Sequence, residues 1–226
     1  MKSNALKQLE RHVDLKYKLF MENLVPGEEN IIGVRVPIIR QLAKKLVKET
    51  NWVQYLQSVR PTIHEEILLQ GFIIQYAKIT DEDRLHYATK HIPLLQNWAT
   101  CDSFCSTLKL AKTKPDLMWA FIKPYFQSKN VYELRFAIVM GIYFVETEYI
   151  DSLFRYLNAI QSDYYYVKMA IAWTVSIAYI RNEQQTAPFL LNNELDLFTH
   201  NKAIQKITES NTLTASQKAV VRQYKR

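Results

Sequence analysis

"YYYVKMAIAWTVSIAYI" occupies residues 164–180 and carries a single charge, Lys168. No strict alternation of polar and apolar residues runs through it, so it reads as a helix over 164–181 and not as a half-buried strand. A helix that is apolar on every side belongs inside a protein. A second stretch, "YELRFAIVMGIYFV" at 132–145, behaves the same way and predicts a helix over 131–146. Two such interior helices call for outer helices to cover them, and the rest of the chain supplies candidates.

The composition agrees. Glycine is scarce at 4 residues in 226, whereas all-β folds need many tight turns and usually more glycine. A hydrophobic share of 48% is that of a globular chain able to bury a core. Residues 3–24 read as a first helix with Ala5, Leu6, Leu9, Val13, Leu15, Leu19 and Phe20 on one stripe, broken by "VPGEEN" at 25–30. A helix opens at Pro37, with Ile38, Leu42, Leu46 and Val47 inward. A short one covers 51–58, and a longer one follows Pro61. Thr80 caps the next, with three acids in its first turn. Further helices are expected at about 102–112, 115–127, 131–146, 149–160, 164–181, 184–192, 199–209 and 214–224, with Pro115 and Pro188 near helix starts. Helical pairs recurring about every 35 to 45 residues match the spacing of HEAT-type solenoids. The expected fold is all-α: one right-handed superhelical solenoid over 1–226, C-shaped, with a basic concave face.

The balance of 29 basic and 22 acidic residues gives a net charge of +7. That suits a nucleic-acid partner without requiring one. Cys101 and Cys105 stand one helical turn apart with nothing to complete a zinc site, so they read as reduced thiols. The N-terminal stretch is amphipathic and unlike a signal peptide. The apolar run at 136–145 is too short to span a membrane.

Three interior helices carry residues that need an explanation. "LLQNWATCDSFC" at 94–105 places Trp98 four residues before Asp102, so the two share one helical face. They read either as a pair lining a groove or as a core Trp followed by a helix cap. Arg135 heads an apolar helix, and Trp173 sits among Ala, Ile and Val, where it reads most simply as core.

In order along the chain, "NWxxxD", "LRxA" and "KxAIxW" resemble the DNA alkylation repair family of HEAT-like repeat proteins, which includes bacterial alkylpurine DNA glycosylases. "GVRVPIIRQLAKKL" at 33–46 is similar to the family's G-x-x-x-P-x-x-R entry. The resemblance covers nearly the whole chain. It implies hydrolysis of the N-glycosidic bond of a cationic N3- or N7-alkylpurine in DNA. It also implies a Trp/Asp/Trp cleft in which Trp98, Asp102 and Trp173 fall on the catalytic positions, and it places Arg135 on the DNA-backbone arginine. Such chemistry is physically reasonable: departure of the base leaves an oxocarbenium-like sugar, which a carboxylate stabilises and aromatic faces favour. Lys109, Lys112, Lys168 and Lys202 are further candidates for DNA contact. The expected partner is double-stranded DNA, with no cofactor, no metal and no membrane. The chain is expected to be monomeric and cytoplasmic, associated with the nucleoid if it binds DNA.

Two departures from the family stand out. Where its glycosylases carry a short DNA-contacting helix, this chain has "LVPGEENIIGV", in which Glu28 and Glu29 would repel phosphates. Where they carry a basic residue three positions after the second Trp, this chain has Ser176. Both favour an alternative: a divergent member with weak or no glycosylase activity, acting as a DNA-structure-binding or protein-interaction module.

Overall fold

The computed structural model describes residues 3–49 and 51–226. Those residues form α-helices joined by short turns, with no strand among them. The chain divides into two compact units, Met1–Lys109 and Leu110–Arg226.

The first unit contains α1 (Asn4–Glu10), α2 (Leu15–Leu24), α3 (Val36–Leu46), α4 (Trp52–Ser58), α5 (His64–Tyr76), α6 (Asp81–His91) and α7 (Trp98–Thr107). Its centre is α5, buried continuously from His64 to Ile74 and packed against α3, α6 and α7. Gly71 permits close approach of α6 and α7, because a Cβ there would lie 3.0 Å from the Phe104 ring and 3.1 Å from His91 Nε2. Thr80 caps α6 as expected, accepting from the Asp83 N–H at 3.1 Å, with Asp81, Glu82 and Asp83 in the first turn. Pro37 sits in the first turn of α3. Ile39, Ala43 and Leu46 form the buried face of α3, while Ile38, Leu42 and Val47 are only partly covered.

The expected single helix over 3–24 is corrected to two. Asp14 ends the intervening turn and caps α2, its carboxylate accepting from the Tyr17 N–H at 3.0 Å. The break redirects the apolar stripe: Ala5, Leu6 and Leu9 are buried, whereas Val13, Leu15, Leu19 and Phe20 are exposed. α2 thus lies between α1 and the Gly33 entry, while residues 25–34 hold no helix, as expected.

The second unit contains α8 (Leu110–Thr113), α9 (Pro115–Ile122), α10 (Val131–Met140), α11 (Ile150–Ala159), α12 (Tyr165–Arg181), α13 (Glu183–Leu191), α14 (Leu197–Glu209) and α15 (Ala215–Arg222). The two helices expected in the interior are there. α12 packs on α10, α13 and α14, and the Thr174 hydroxyl donates to the Ile138 carbonyl at 3.0 Å, tying α12 to α10. An aromatic cluster of Trp119, Phe126, Phe144, Tyr149 and Tyr156 fills the space beside α9 and α11. Pro115 opens α9 as expected, but Pro188 lies inside α13 and not near its start. Asn182 sets the earlier start, its side chain accepting from the Gln185 N–H. No helix among the described residues is long and apolar enough to cross a membrane.

Candidate functional site

α7 begins four residues before the expected position. Asn97 caps it, its side-chain oxygen accepting from the Thr100 N–H at 2.9 Å, while the Thr100 hydroxyl accepts from the Asn97 N–H at 3.3 Å. This reciprocal box fixes the first turn at Trp98. Asp102 therefore lies in the second turn and is not a cap. Ala99, Thr100, Cys101, Phe104 and Cys105 are buried, whereas Trp98, Asp102 and Ser106 form the stripe turned toward solvent. Trp98 and Asp102 thus share one half-buried face of α7, and the cap is Asn97 and not Asp102. Cys101 and Cys105 are both buried and not joined in a disulfide.

Trp98 also does structural work. Its indole N–H donates to the Leu24 carbonyl at 3.2 Å, at the end of α2. Together with Tyr17 it packs against Met21, Val25, Ile31 and Ala99. The other end of α2 is held by the entry loop. Gly33 adopts φ +90°, and a Cβ there would come within 2.6 Å of both the Asp14 carbonyl oxygen and Lys18 Cβ. The Asp14 N–H donates to the Gly33 carbonyl at 2.9 Å. Arg35 donates to Asp14 Oδ2 at 2.9 and 3.1 Å and lays its guanidinium 4.7 Å from the Tyr17 ring centre. The Tyr17 N–H and Arg35 both lower the Asp14 carboxyl below its ordinary value.

The loop itself is fixed by buried polar groups on α5. Glu65 accepts three backbone N–H bonds, from Ile32, Gly33 and Val34, at 3.0, 2.7 and 3.1 Å. Glu28, expected to repel phosphate, instead accepts from the Asn97 side chain at 2.9 Å and from the Asn30 N–H at 3.2 Å. The Asn97 amide lies 3.1 Å from His64 Nδ1. Burial pushes the His64 imidazole below its usual pKa, against the pull of Glu65 and Glu28. Glu29 remains exposed. Sequence reading missed this whole arrangement. The one available signal was "HEE" at the head of an apolar helix, where carboxylates that cannot reach water must find donors.

In the second unit Arg135 is buried, 5% exposed, and its guanidinium donates to the Tyr166 carbonyl just ahead of the second turn of α12. Trp173 is half-buried on α12. Ser176 is buried and donates to the Trp173 carbonyl at 2.7 Å, so this position faces the protein rather than solvent. Lys168 lies 3.5 Å from Asp163 and 3.4 Å from Asp196, which compensates its charge locally. Lys202 donates to Gln205 at 2.7 Å and stands 5.6 Å from the Phe198 ring centre. Lys112 is exposed near the Tyr143 ring, and Lys109 is exposed at the end of the first unit. No cluster of His, Cys, Asp and Glu among the described residues has the geometry of a metal site.

Comparison with known families is decisive at this point: the family described as DNA alkylation repair enzyme matches residues 5–207. The chain belongs to that family. The match takes in α1 through most of α14, and with them Trp98, Asp102, Arg135 and Trp173. No curated protein matches the chain.

Proposed function

We propose that the protein is a DNA glycosylase that removes cationic N3- or N7-alkylpurines from double-stranded DNA. The observation that carries this reading is the placement of Asp102 beside Trp98 on the accessible stripe of α7, in a helix already capped by Asn97. The carboxylate is half-buried beside an indole, and the start of the helix is fixed by Asn97 instead. Membership of the DNA alkylation repair family supports the same reading.

The reaction breaks the C1′–N bond. The electron pair leaves with the purine and neutralises its charge, and a cationic sugar remains. Asp102 stabilises that sugar electrostatically, and Trp98 beside it offers an aromatic face to the cation; the family resemblance assigns a like role to Trp173. Water then adds to C1′ and loses a proton to the carboxylate or to solvent. Exposed Lys109 and Lys112 contact backbone phosphates, Lys202 adds a third contact, and Lys168 does so when its aspartates release it. Arg135 serves the DNA contact by holding the Tyr166 backbone. The helix pairs within each unit support describing them as HEAT-like repeats.

A second reading rests on a specific observation. Arg135 is buried and Lys168 is paired, so the second unit offers fewer free cations to a duplex than the sequence promised. A family member that binds DNA without cutting the glycosidic bond would look like this. Incubation of the protein with duplex DNA methylated at guanine N7 and adenine N3 separates the two. Release of free methylpurine above the spontaneous rate, abolished by Asp102→Asn, supports the glycosylase. Salt-sensitive DNA retention without release supports the binding module.

A further inference from the structure

The second unit presents a run of aromatic rings at the N-terminal ends of three of its helices. Tyr132 opens α10, Tyr164 to Tyr166 open α12, and Leu197 and Phe198 open α14. The rings touch in sequence. Tyr132 and Tyr164 lie 6.0 Å apart edge to face, with their hydroxyls 3.3 Å apart. Tyr165 contacts Tyr166 at 5.2 Å and Phe198 at 6.0 Å. Arg135 anchors the segment from below by donating to the Tyr166 carbonyl. Despite these contacts the outer rings are open to water: Tyr165 is 53% exposed and Phe198 40%. Large apolar side chains clustered at a surface mark a binding site.

The strip runs into a groove of about 680 Å³ between α14 and the C-terminal helix, lined by Leu197, Phe198, Lys202, Arg222 and Lys225. Arg222 and Lys225 are exposed, and Lys202 stands over the Phe198 face. The acids beside the strip, Asp163 and Asp196, are both within reach of Lys168. The groove thus brings the Phe198 ring together with Lys202, Arg222 and Lys225, and α12 adds an N-terminus with no side-chain cap. Alternating ring faces and cations suit a strand whose bases are free and whose backbone is anionic. A duplex does not fit the description, because both faces of each base are already covered by its neighbours.

The geometry points to a seat for single-stranded nucleic acid on the second unit, with bases stacked on Tyr165 and Phe198 and phosphates against Lys202, Arg222 and Lys225. This goes beyond the glycosylase reading: it shares only Lys202 with it and rests on Tyr165, Phe198, Arg222 and Lys225. The seat would hold strand that is unpaired beside a duplex site or at a gap or end.

Fluorescence anisotropy on the full chain tests it, using labelled oligothymidylate, oligouridylate and a blunt duplex. Tyr165→Ala and Phe198→Ala are expected each to weaken single-strand binding about tenfold, with a smaller effect on the duplex. Tyr165→Trp should retain binding and Tyr165→Leu should lose it, because the ring face and not bulk apolarity is required. Arg222→Gln and Lys225→Gln should each reduce the salt slope by about 0.7. Comparison of the two oligonucleotides tells DNA from RNA as the source. Three results overturn the proposal: no single-strand binding by the unaltered protein, equal losses for strand and duplex, or a leucine at 165 that serves as well as tryptophan. The last would assign the patch to an apolar partner such as a peptide or lipid. Asp102→Asn should leave strand binding unchanged, so failure here and failure of the glycosylase reading are separate results.

Discussion

Gly33→Ala is the substitution that reaches furthest into the first unit. The residue holds φ +90°, a region that costs an L-amino acid about 1–3 kcal/mol. The added Cβ would lie 2.6 Å from the Asp14 carbonyl oxygen and 2.6 Å from Lys18 Cβ. Both are parts of α2 or its cap, so the methyl can be accommodated only if α2 moves away. Crowding of this kind costs about 1–3 kcal/mol more. The total is roughly 2–6 kcal/mol. The loss should be concentrated where Gly33 acts: the Asp14 N–H bond to its carbonyl, the Arg35 clamp and the Trp98 bond to Leu24. Hydrogen exchange should show amides 15–25 losing protection while those of α10 and α12 keep theirs. A thermal melt should fall by about 5–15 °C if the first unit unfolds cooperatively. A melting temperature within about 1 °C of the parent, with unchanged exchange in α2, would refute the idea that Gly33 seats this helix.

Other expectations follow from the same contacts. Asn97→Ala should cost about 1–2 kcal/mol by removing the α7 cap, whereas Asp102→Asn should change stability by less than about 0.5 kcal/mol; denaturant titration of both variants checks the contrast, and the reverse order would restore Asp102 as the cap. Trp98→Phe keeps a ring in the cluster but loses the indole N–H to Leu24, for about 0.5–1.5 kcal/mol and faster exchange at the end of α2. Burial pushes His91 down to about 3, so the fold takes it neutral while the unfolded chain protonates it at its ordinary value. Its contribution is therefore complete above about pH 6.5 and is lost as pH falls from there toward 3, at roughly 1.4 kcal/mol per unit. His64 and His200 are also lowered by burial and add slope of the same sign, so the His91 share is read from the difference between the parent and His91→Gln between pH 6.5 and 5. Parallel curves for the two proteins would contradict it.

The helical class and most of the element positions were legible because they rest on local chemistry. Thr80 with its three acids, Pro37, Pro115 and the two apolar interior helices all behave as their sequences suggest. The failures share a cause. A helix over 3–24 is compatible with His12 and Val13, which do not forbid one; the break comes at Asp14, whose cap bond to Tyr17 is local but whose ion pair comes from Arg35 twenty-one residues away. The helix expected from 102 begins at 98 instead, because Asn97 caps it with partners Glu28 and His64 that come from remote parts of the chain. Glu28 looked like a solvated acid for the same reason. At the candidate site the sequence placed Trp98 and Asp102 on one face through helical spacing alone. It could not show that Arg135 is buried against Tyr166, since an arginine at the head of an apolar helix is equally compatible with the surface. The aromatic strip was invisible because its rings come from three helices brought together only by folding.

The central claim, that Asp102 serves chemistry and not helix capping, is tested most directly by single-turnover release of methylpurine from a methylated duplex at excess protein. The account predicts release well above spontaneous depurination for the parent protein. It predicts loss of that excess in Asp102→Asn, with the melting temperature and the DNA retention of the variant unchanged. Release no faster than in buffer, or an Asp102→Asn variant as active as its parent, would contradict it.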